Sequence, residues 1–160
     1  FVGQTPELWT YYCVGQEKLV PNRFCAMPSA RNRIMGVMFY CYDIVGFLQW
    51  GFNFYYSQYS LYPVDPWIDT NAGNWVPAGD PFIVYPGPDG VPYDSLRHEV
   101  FFEAIQDLRA LRALERKIGR AAVLALLHEG LDYRLTMTDY PRSADWLLGM
   151  RERVNRALAE

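Results

Sequence analysis

The sequence has few of the residues that build metal centres and disulfide frameworks. Its 160 residues contain two histidines and three cysteines, and no two cysteines form a Cys-X-X-Cys arrangement. His98 and His128 do not have metal-ligand spacing, so we expect no metal and no cofactor. The odd number of cysteines argues against a disulfide framework. Cys13, Cys25 and Cys41 are therefore predicted to be buried thiols, with one bridge and one free thiol as the alternative.

The sequence also lacks a membrane-spanning run and a strong charge of either sign. The most apolar stretch, 34–54, is interrupted by Asp43 and Gln49 and does not provide the roughly 20 apolar residues that cross a bilayer. The net charge is −3, with acidic and basic residues interspersed, so we expect neither a nucleic-acid partner nor a membrane. No GxSxG, P-loop or GxGxxG motif is present, which argues against the enzyme classes that carry them.

Apolar and aromatic residues are abundant. They make up 51% and 16% of the chain, enough for one domain with a sizeable core. The chain begins at Phe1, without Met or a signal peptide, and enters a strand-like run almost at once. We therefore expect it to be part of a longer polypeptide.

The first half of the chain is predicted to form a strand, a helix and a second strand. Residues 7–14 are aromatic and β-prone. Ser29 is the candidate N-cap of a helix whose apolar residues recur every three or four positions, and Gly46 is its predicted end. Residues 47–54 are predicted to be a buried strand, in which Gly51 indicates a bulge or a close backbone approach.

The second half is predicted to contain a long loop, a short strand and helices. Residues 55–81 are rich in turn-forming and aromatic residues, and loops of this length are often functional. Residues 82–85 are predicted to be a third strand, closed by a Pro- and Gly-rich turn. The helices are predicted from Asp94 or Ser95 to Gly119, from there to Glu129, and from near Ser143 onward.

The order of these elements favours parallel α/β units. Three strands cannot close a barrel, which needs eight. The chain is therefore predicted to be either an open layered sheet or a piece of a barrel.

Four blocks, in this order, resemble the C-terminal domain of a family of bacterial proteins of unknown function (DUF4091). That family is related to glycoside hydrolase family 123, the β-N-acetylgalactosaminidases. The order of the blocks is more specific than any single block. They are Gly46–Asn53 (GFLQWGFN), Asp65–Trp67 (DPW), Gly79–Gly90 (GDPFIVYPGPDG), and Ser95–Arg97 with Glu99 and Glu103–Leu108.

The resemblance implies an α/β fold that is a partial (β/α) TIM-barrel-like segment, with about three parallel strands and long C-terminal helices. We expect residues 1–130 to be the C-terminal part of a glycoside-hydrolase-like barrel and residues 131–160 to be a helical extension, although the resemblance itself ends near Leu114 and leaves the place of the last helix open. The parent is expected to be a bacterial N-acetylhexosaminidase-like glycoside hydrolase. Its compartment stays open, with a secreted or periplasmic protein as the expectation.

The sequence departs from the family in two places. The family helix usually carries a Gly-Ile-Glu-Asp-Tyr-Glu-Tyr run, whereas residues 104–110 read AIQDLRA. Related hexosaminidases use an adjacent Asp-Glu pair for substrate-assisted hydrolysis, and no Asp-Glu dipeptide occurs in this chain. We therefore expect the chain alone to be inactive, with no catalytic residue of its own.

Five residues are candidate sugar contacts: Trp50, Asn53, Trp67, Trp75 and Asp80. Trp50 and Asn53 lie near the C-terminal end of a predicted barrel strand, where active sites of this fold gather. Trp67 and Trp75 lie in the long loop, and Asp80 precedes the third predicted strand. The alternatives are packing for the three tryptophans, loop hydrogen bonding for Asn53 and turn capping for Asp80.

Four further residues are predicted to be structural. Arg97 and Glu99 open the long helix, and Arg97 is expected to pair with a carboxylate. Trp9 and Tyr11 alternate on the first strand and are expected to pack in the core.

The predicted function is therefore a glycoside-hydrolase portion that supplies substrate-binding aromatic residues. The alternative is a non-catalytic carbohydrate-binding or structural module. The expected partner is a carbohydrate. Exposed sheet edges of an incomplete barrel further predict a homo-oligomer of the fragment.

Overall fold

Two short parallel strands, joined by helices, form the first unit of the fold. The computed structural model describes residues 4–160. Strand β1 (Leu8–Tyr11) pairs in parallel with β2 (Ile44–Leu48). The connection contains α1 (Ala30–Arg33) and α2 (Met35–Cys41). Parallel strands need such a crossover because the chain must return to the same end of the sheet.

The helix before β2 ends earlier than the sequence pattern predicts. It stops at Cys41 instead of Gly46, because Asp43 has a φ of 53° that no helix continues. Strand β2 accordingly begins at Ile44, three residues before the predicted strand. Val45, which was expected on the buried helix face, is 54% exposed in the strand.

The third predicted strand is wrong in its orientation. Strand β3 (Val84–Pro86) pairs antiparallel with β4 (Pro92–Asp94), through a 3-10 turn at Pro88–Gly90. The turn reverses the chain within a few residues, and so short a connection joins only antiparallel strands. Within residues 4–160, two strands are therefore parallel instead of about three.

Three long helices follow, and their ends match the sequence signals. They are α3 (Leu96–Ile118), α4 (Arg120–His128) and α5 (Ala144–Ala159). The side chains of Ser95 and Ser143 accept hydrogen bonds from the backbone N–H groups of His98 and Trp146, as N-caps do. Gly119, with a φ of 82°, separates α3 from α4. No helix in residues 4–160 is long and apolar enough to cross a membrane.

The core lies between α2, β2 and the three long helices. Val37, Leu111, Val123 and Met150 are all 0% exposed, and each comes from a different helix. Helix α5 thus shares one core with the preceding elements. The division into 1–130 and 131–160 stays a prediction.

The β1–β2 sheet is covered on one face only. On the covered face, Phe47 packs on Tyr12 at 4.9 Å and on Phe101 of α3 at 5.1 Å between ring centroids. On the other face, Trp9 is 63% and Tyr11 55% exposed. The expectation that Trp9 and Tyr11 pack in the core is wrong, because no element among the described residues covers their side of the sheet.

The cysteines are free thiols. Cys13 and Cys41 are half-buried, whereas Cys25 is exposed. The expectation of a buried thiol is therefore wrong for Cys25, which lies in the loop after β1 and not in the core.

Candidate functional site

A buried ion pair lies in the loops that follow the two parallel strands. Nη1 of Arg23 is 2.9 Å from Oδ1 of Asp80, and both side chains are 0% exposed. Nη2 of Arg23 donates to the backbone oxygen of Asp80 at 2.7 Å. The guanidinium therefore holds both the side chain and the backbone of Asp80. The ion pair thus joins two residues, Arg23 and Asp80, that lie 57 positions apart in the sequence.

Neighbouring polar groups fix the guanidinium. Nη1 of Arg23 also donates to Oδ1 of Asn22 at 3.1 Å, and the cation lies over the Tyr12 ring at 4.8 Å. The Tyr12 hydroxyl donates to Asn32 at 3.0 Å, and Asn32 donates to the backbone oxygen of Arg97 at 2.9 Å. This network connects the end of β1 to α1 and α3.

Within the described residues 4–160, Arg97 binds backbone oxygens and no carboxylate. Its guanidinium donates to Gly79 at 2.6 Å, to Phe82 at 2.9 Å and to Arg23 at 3.3 Å. The predicted carboxylate partner is wrong, since three carbonyl groups of the neighbouring loops already surround the cation. Glu99 is exposed in the first turn of α3, where its negative charge interacts favourably with the positive end of the helix dipole.

Trp50 lies directly against the ion pair. Its indole N–H donates to Oδ1 of Asp80 at 3.2 Å, and its ring meets Trp75 edge-on, with centroids 6.2 Å apart. Trp50 is half-buried and Trp75 is 40% exposed. A Cβ on Gly51 would lie 2.3 Å from the backbone oxygen of Asp80. The predicted close backbone approach at Gly51 is confirmed, although Gly51 lies beyond the end of β2.

Burial changes the protonation properties of the pair. Loss of water raises the pKa of the Asp80 carboxyl, while Arg23 and the Trp50 indole N–H act in the opposite direction. The same loss of water lowers the pKa of the Arg23 guanidinium. Oδ2 of Asp80 and Nε of Arg23 are buried without a hydrogen-bond partner in residues 4–160.

Trp67 and Asn53 belong to a second group of residues. Trp67 is 57% exposed and stacks on Tyr85 at 4.7 Å, with Tyr93 at 6.1 Å. Asn53 forms a backbone bridge with Phe82, and its side chain is exposed. Asn53 and Tyr85 line a cavity of about 260 Å³ beside the β3–β4 hairpin. The predicted site residues therefore form two groups, with Trp50, Trp75 and Asp80 in the first.

The comparison with protein families identifies the chain. The model of the glycoside hydrolase 123 catalytic domain matches residues 3–114, which is 112 of the 160 residues. The chain belongs to the glycoside hydrolase 123 family. No curated protein matches it significantly. The family match covers β1 to most of α3 and confirms the resemblance found in the sequence blocks.

Several residues of the candidate site were not predicted from the sequence. Tyr12, Asn22, Arg23 and Asn32 all belong to the buried network, and none was a candidate. No local pattern in the sequence marks them, because the burial of Arg23 beside Pro21, Asn22 and Phe24 exists only in the folded chain. A fully buried arginine usually has a carboxylate partner, but its burial has to be seen first.

No cluster of three or more His, Cys, Asp or Glu side chains with the geometry of a metal site occurs in residues 4–160.

Proposed function

We propose that this glycoside hydrolase 123 chain forms two consecutive strand–helix units of a (β/α) barrel. The β1–α2–β2 crossover and the following α3 have the order of such units. In a barrel, helices cover the outer face of each strand and other strands enclose the inner face. The half-covered sheet supports this arrangement, because Trp9, Tyr11 and Leu48 on its open face are all more than half exposed.

The open face leads to the proposed sugar-binding site. Side chains alternate along a strand, so Gly46 and Leu48 share the open face of β2, which ends at Leu48, and Trp50 follows two residues later. Trp50 thus lies at the C-terminal end of β2, the end where barrel enzymes bind their substrates. Indole rings present flat apolar surfaces that suit the C–H faces of sugars. The half-buried Trp50, with its indole N–H fixed and its ring beside Trp75, is the observation that carries this proposal.

The second group of residues would provide further contacts. Trp67 offers an exposed ring, and the Asn53 amide could bond a hydroxyl or an acetamido group at the adjoining cavity. Direct contact between Asp80 and a sugar stays a prediction. In this conformation the Asp80 side chain has no exposed surface, and its Oδ1 is already engaged.

The chain would bind sugar without hydrolysing it. Related hexosaminidases place an Asp-Glu pair at the acetamido group and the leaving oxygen. No such dipeptide exists in the 160 residues, and the carboxylate nearest Trp50 is held in a buried ion pair. The proposed substrate class is an N-acetylhexosaminide, with catalysis completed by a further part of the parent polypeptide.

A fluorescence titration tests the binding proposal. Tryptophan emission is followed against N-acetylgalactosamine, N-acetylglucosamine and galactose in the wild type, Trp50→Ala and Trp146→Phe. Trp146 lies in α5, outside the family match, and serves as the control. We expect saturable binding of an N-acetylhexosamine that Trp50→Ala weakens about tenfold or more, since an aromatic contact of this kind contributes about 1 kcal/mol beyond its area.

Two results would contradict the proposal. Equal affinity in the wild type and in folded Trp50→Ala would remove Trp50 from the site, and no binding of any sugar would place the site elsewhere. Circular dichroism confirms that each variant is folded.

The absence of an Asp-Glu pair also favours the alternative, a non-catalytic carbohydrate-binding module. A longer polypeptide that includes the remaining barrel strands separates the two functions. Hydrolysis of an N-acetylhexosaminide by that protein supports the enzyme, whereas binding without turnover supports the module.

A further inference from the structure

We propose that Arg23 and Asp80 are positioning residues, which fix the orientation of the Trp50 ring at the sugar-binding site. This inference rests on the proposed function of Trp50, but the orientation itself can be measured without a sugar. Neither residue contacts solvent, so both would act through Trp50.

The geometry leaves the carboxylate little freedom. Arg23 holds Oδ1 at 2.9 Å and the backbone oxygen of the same residue at 2.7 Å. A Cβ on Gly51 would lie 2.3 Å from that backbone oxygen, so the two chain segments are in direct contact. The indole N–H of Trp50 therefore donates to an acceptor whose side chain and backbone are both held by Arg23.

The cation is equally fixed. Arg23 lies over the Tyr12 ring at 4.8 Å and donates to Asn22 at 3.1 Å. These contacts hold the guanidinium through groups other than Asp80. A chain of fixed groups thus connects β1 to the ring of Trp50.

Stability alone does not account for this arrangement. Two fully buried charges cost much desolvation, and well-packed apolar residues often replace a buried pair without loss of stability. A charged acceptor forms a stronger and more directional hydrogen bond than a neutral one. Besides joining the two loops, the ion pair provides a charged acceptor for one indole N–H.

Trp50 differs from the other tryptophans in this respect. Across residues 4–160, it is the tryptophan whose indole N–H donates a hydrogen bond. The indole nitrogen of Trp146 is buried but has no partner in the same part of the chain. Trp146 therefore distinguishes the effect of burial from the effect of the hydrogen bond.

The test follows the indole N–H signals of the 160-residue protein by ¹⁵N NMR, together with sugar affinity. The key variant is the double substitution Arg23→Met and Asp80→Leu, which removes both charges and so leaves neither partner unpaired. The matched control is Asp107→Asn, which perturbs another buried carboxylate with arginine partners. All measurements are made at a temperature where circular dichroism shows each protein to be folded.

We expect the Trp50 indole proton of the wild type to resonate downfield of that of Trp146. It should also exchange with solvent at least about tenfold more slowly than that of the exposed Trp67. In the double variant both features should be lost, and N-acetylhexosamine affinity should fall about tenfold, comparable to losing one charge-assisted hydrogen bond. Asp107→Asn should keep the Trp50 signal and the affinity.

Three other outcomes would contradict part of this inference or of the proposed function. Rapid exchange of the Trp50 proton in the wild type would overturn the positioning inference. Loss of the Trp50 signal features in the double variant with unchanged affinity would overturn its functional part. In the third outcome, the Trp50 proton is protected in the wild type and unprotected in the double variant while the wild type binds no sugar. That result would support the positioning geometry and reject the proposed function.

Discussion

Replacing Asp107 with Asn should destabilise the protein strongly, because one carboxylate joins three helical segments. The side chain of Asp107 is 0% exposed and lies in α3. Its Oδ2 accepts from Nε of Arg33 in α1 at 2.7 Å, and its Oδ1 accepts from Nη1 of Arg151 in α5 at 2.8 Å. A second bond from Arg33, at 3.1 Å, makes the Arg33 contact bidentate.

The size of the destabilisation follows from the hydrogen bonds that asparagine cannot accept. Its side chain has one acceptor oxygen, so at least one arginine loses its partner, and the remaining amide points donors at a cation. Arg33 and Arg151 are 18% and 28% exposed, so water compensates only in part. Removing one partner of a buried pair costs about 3–5 kcal/mol, and the partial exposure places this case near about 3 kcal/mol. For a chain of this size the melting temperature should fall by about 6–12 °C.

Urea denaturation of the wild type, Asp107→Asn, Arg151→Met and the double variant checks this reasoning. The coupling energy between Asp107 and Arg151 should be about 1 kcal/mol or more, because the two groups are in direct contact. A loss below about 1 kcal/mol in Asp107→Asn, with an unchanged denaturant slope, would show that the carboxylate does not hold the helices together. A changed slope would mean that the two-state comparison fails.

Four further outcomes are expected. Gly36→Ala should destabilise the protein by about 2 kcal/mol in thermal or urea unfolding, because its Cβ would lie 1.9 Å from a backbone oxygen of α3. This overpacking outweighs the gain of about 1 kcal/mol in helix propensity. Equal or higher stability of the variant would refute the close contact. Burial raises the pKa of the Cys41 thiol to about 11, so iodoacetamide should label the exposed Cys25 before Cys41 at pH 8. Equal labelling rates of the two cysteines in mass spectrometry would contradict this. The folded protein retains the Cys41 proton that the unfolded chain releases, so the free energy of unfolding should decrease as the pH rises from about 9 toward 11. The exposed Trp9 and Tyr11 should make the protein self-associate. Replacing both with Thr should reduce the molar mass measured by light scattering. A wild-type monomer at high concentration would count against self-association.

Local sequence was sufficient for the ends of the three later helices and for the family. It was not sufficient for the helix before β2, which has no side-chain cap hydrogen bond at the predicted N-cap Ser29 and ends at Cys41 instead of Gly46. Ser95 and Ser143 cap their helices through backbone groups three residues away, and Gly119 adopts the positive φ that separates two helices. Such features depend on neighbours within one helical turn, so a linear pattern contains them. The ordered blocks from Gly46 to Leu108 likewise identified the family that the comparison shows.

Local sequence was not sufficient where a short strand and a turn had to be oriented. Residues 82–85 have the composition of a strand, but composition is the same for a parallel and an antiparallel partner. The turn at Pro88–Gly90 decided the orientation by returning the chain at once. In the same way, Val45 fits the apolar spacing of a helix, and the positive φ of Asp43 ended that helix before Val45.

The buried ionic contacts were decided by the tertiary structure alone. Arg23 meets Asp80 across 57 residues, and Asp107 meets Arg33 and Arg151 across 74 and 44. No local pattern specifies which distant loops fold together, and a charged residue has the same letter whether it is solvated or paired. The sequence by itself determined the three later helices, the caps at Ser95 and Ser143, and the family. Only the folded chain determined which face of the β1–β2 sheet is open and which carboxylate lies under Trp50, because both depend on contacts between segments far apart in sequence.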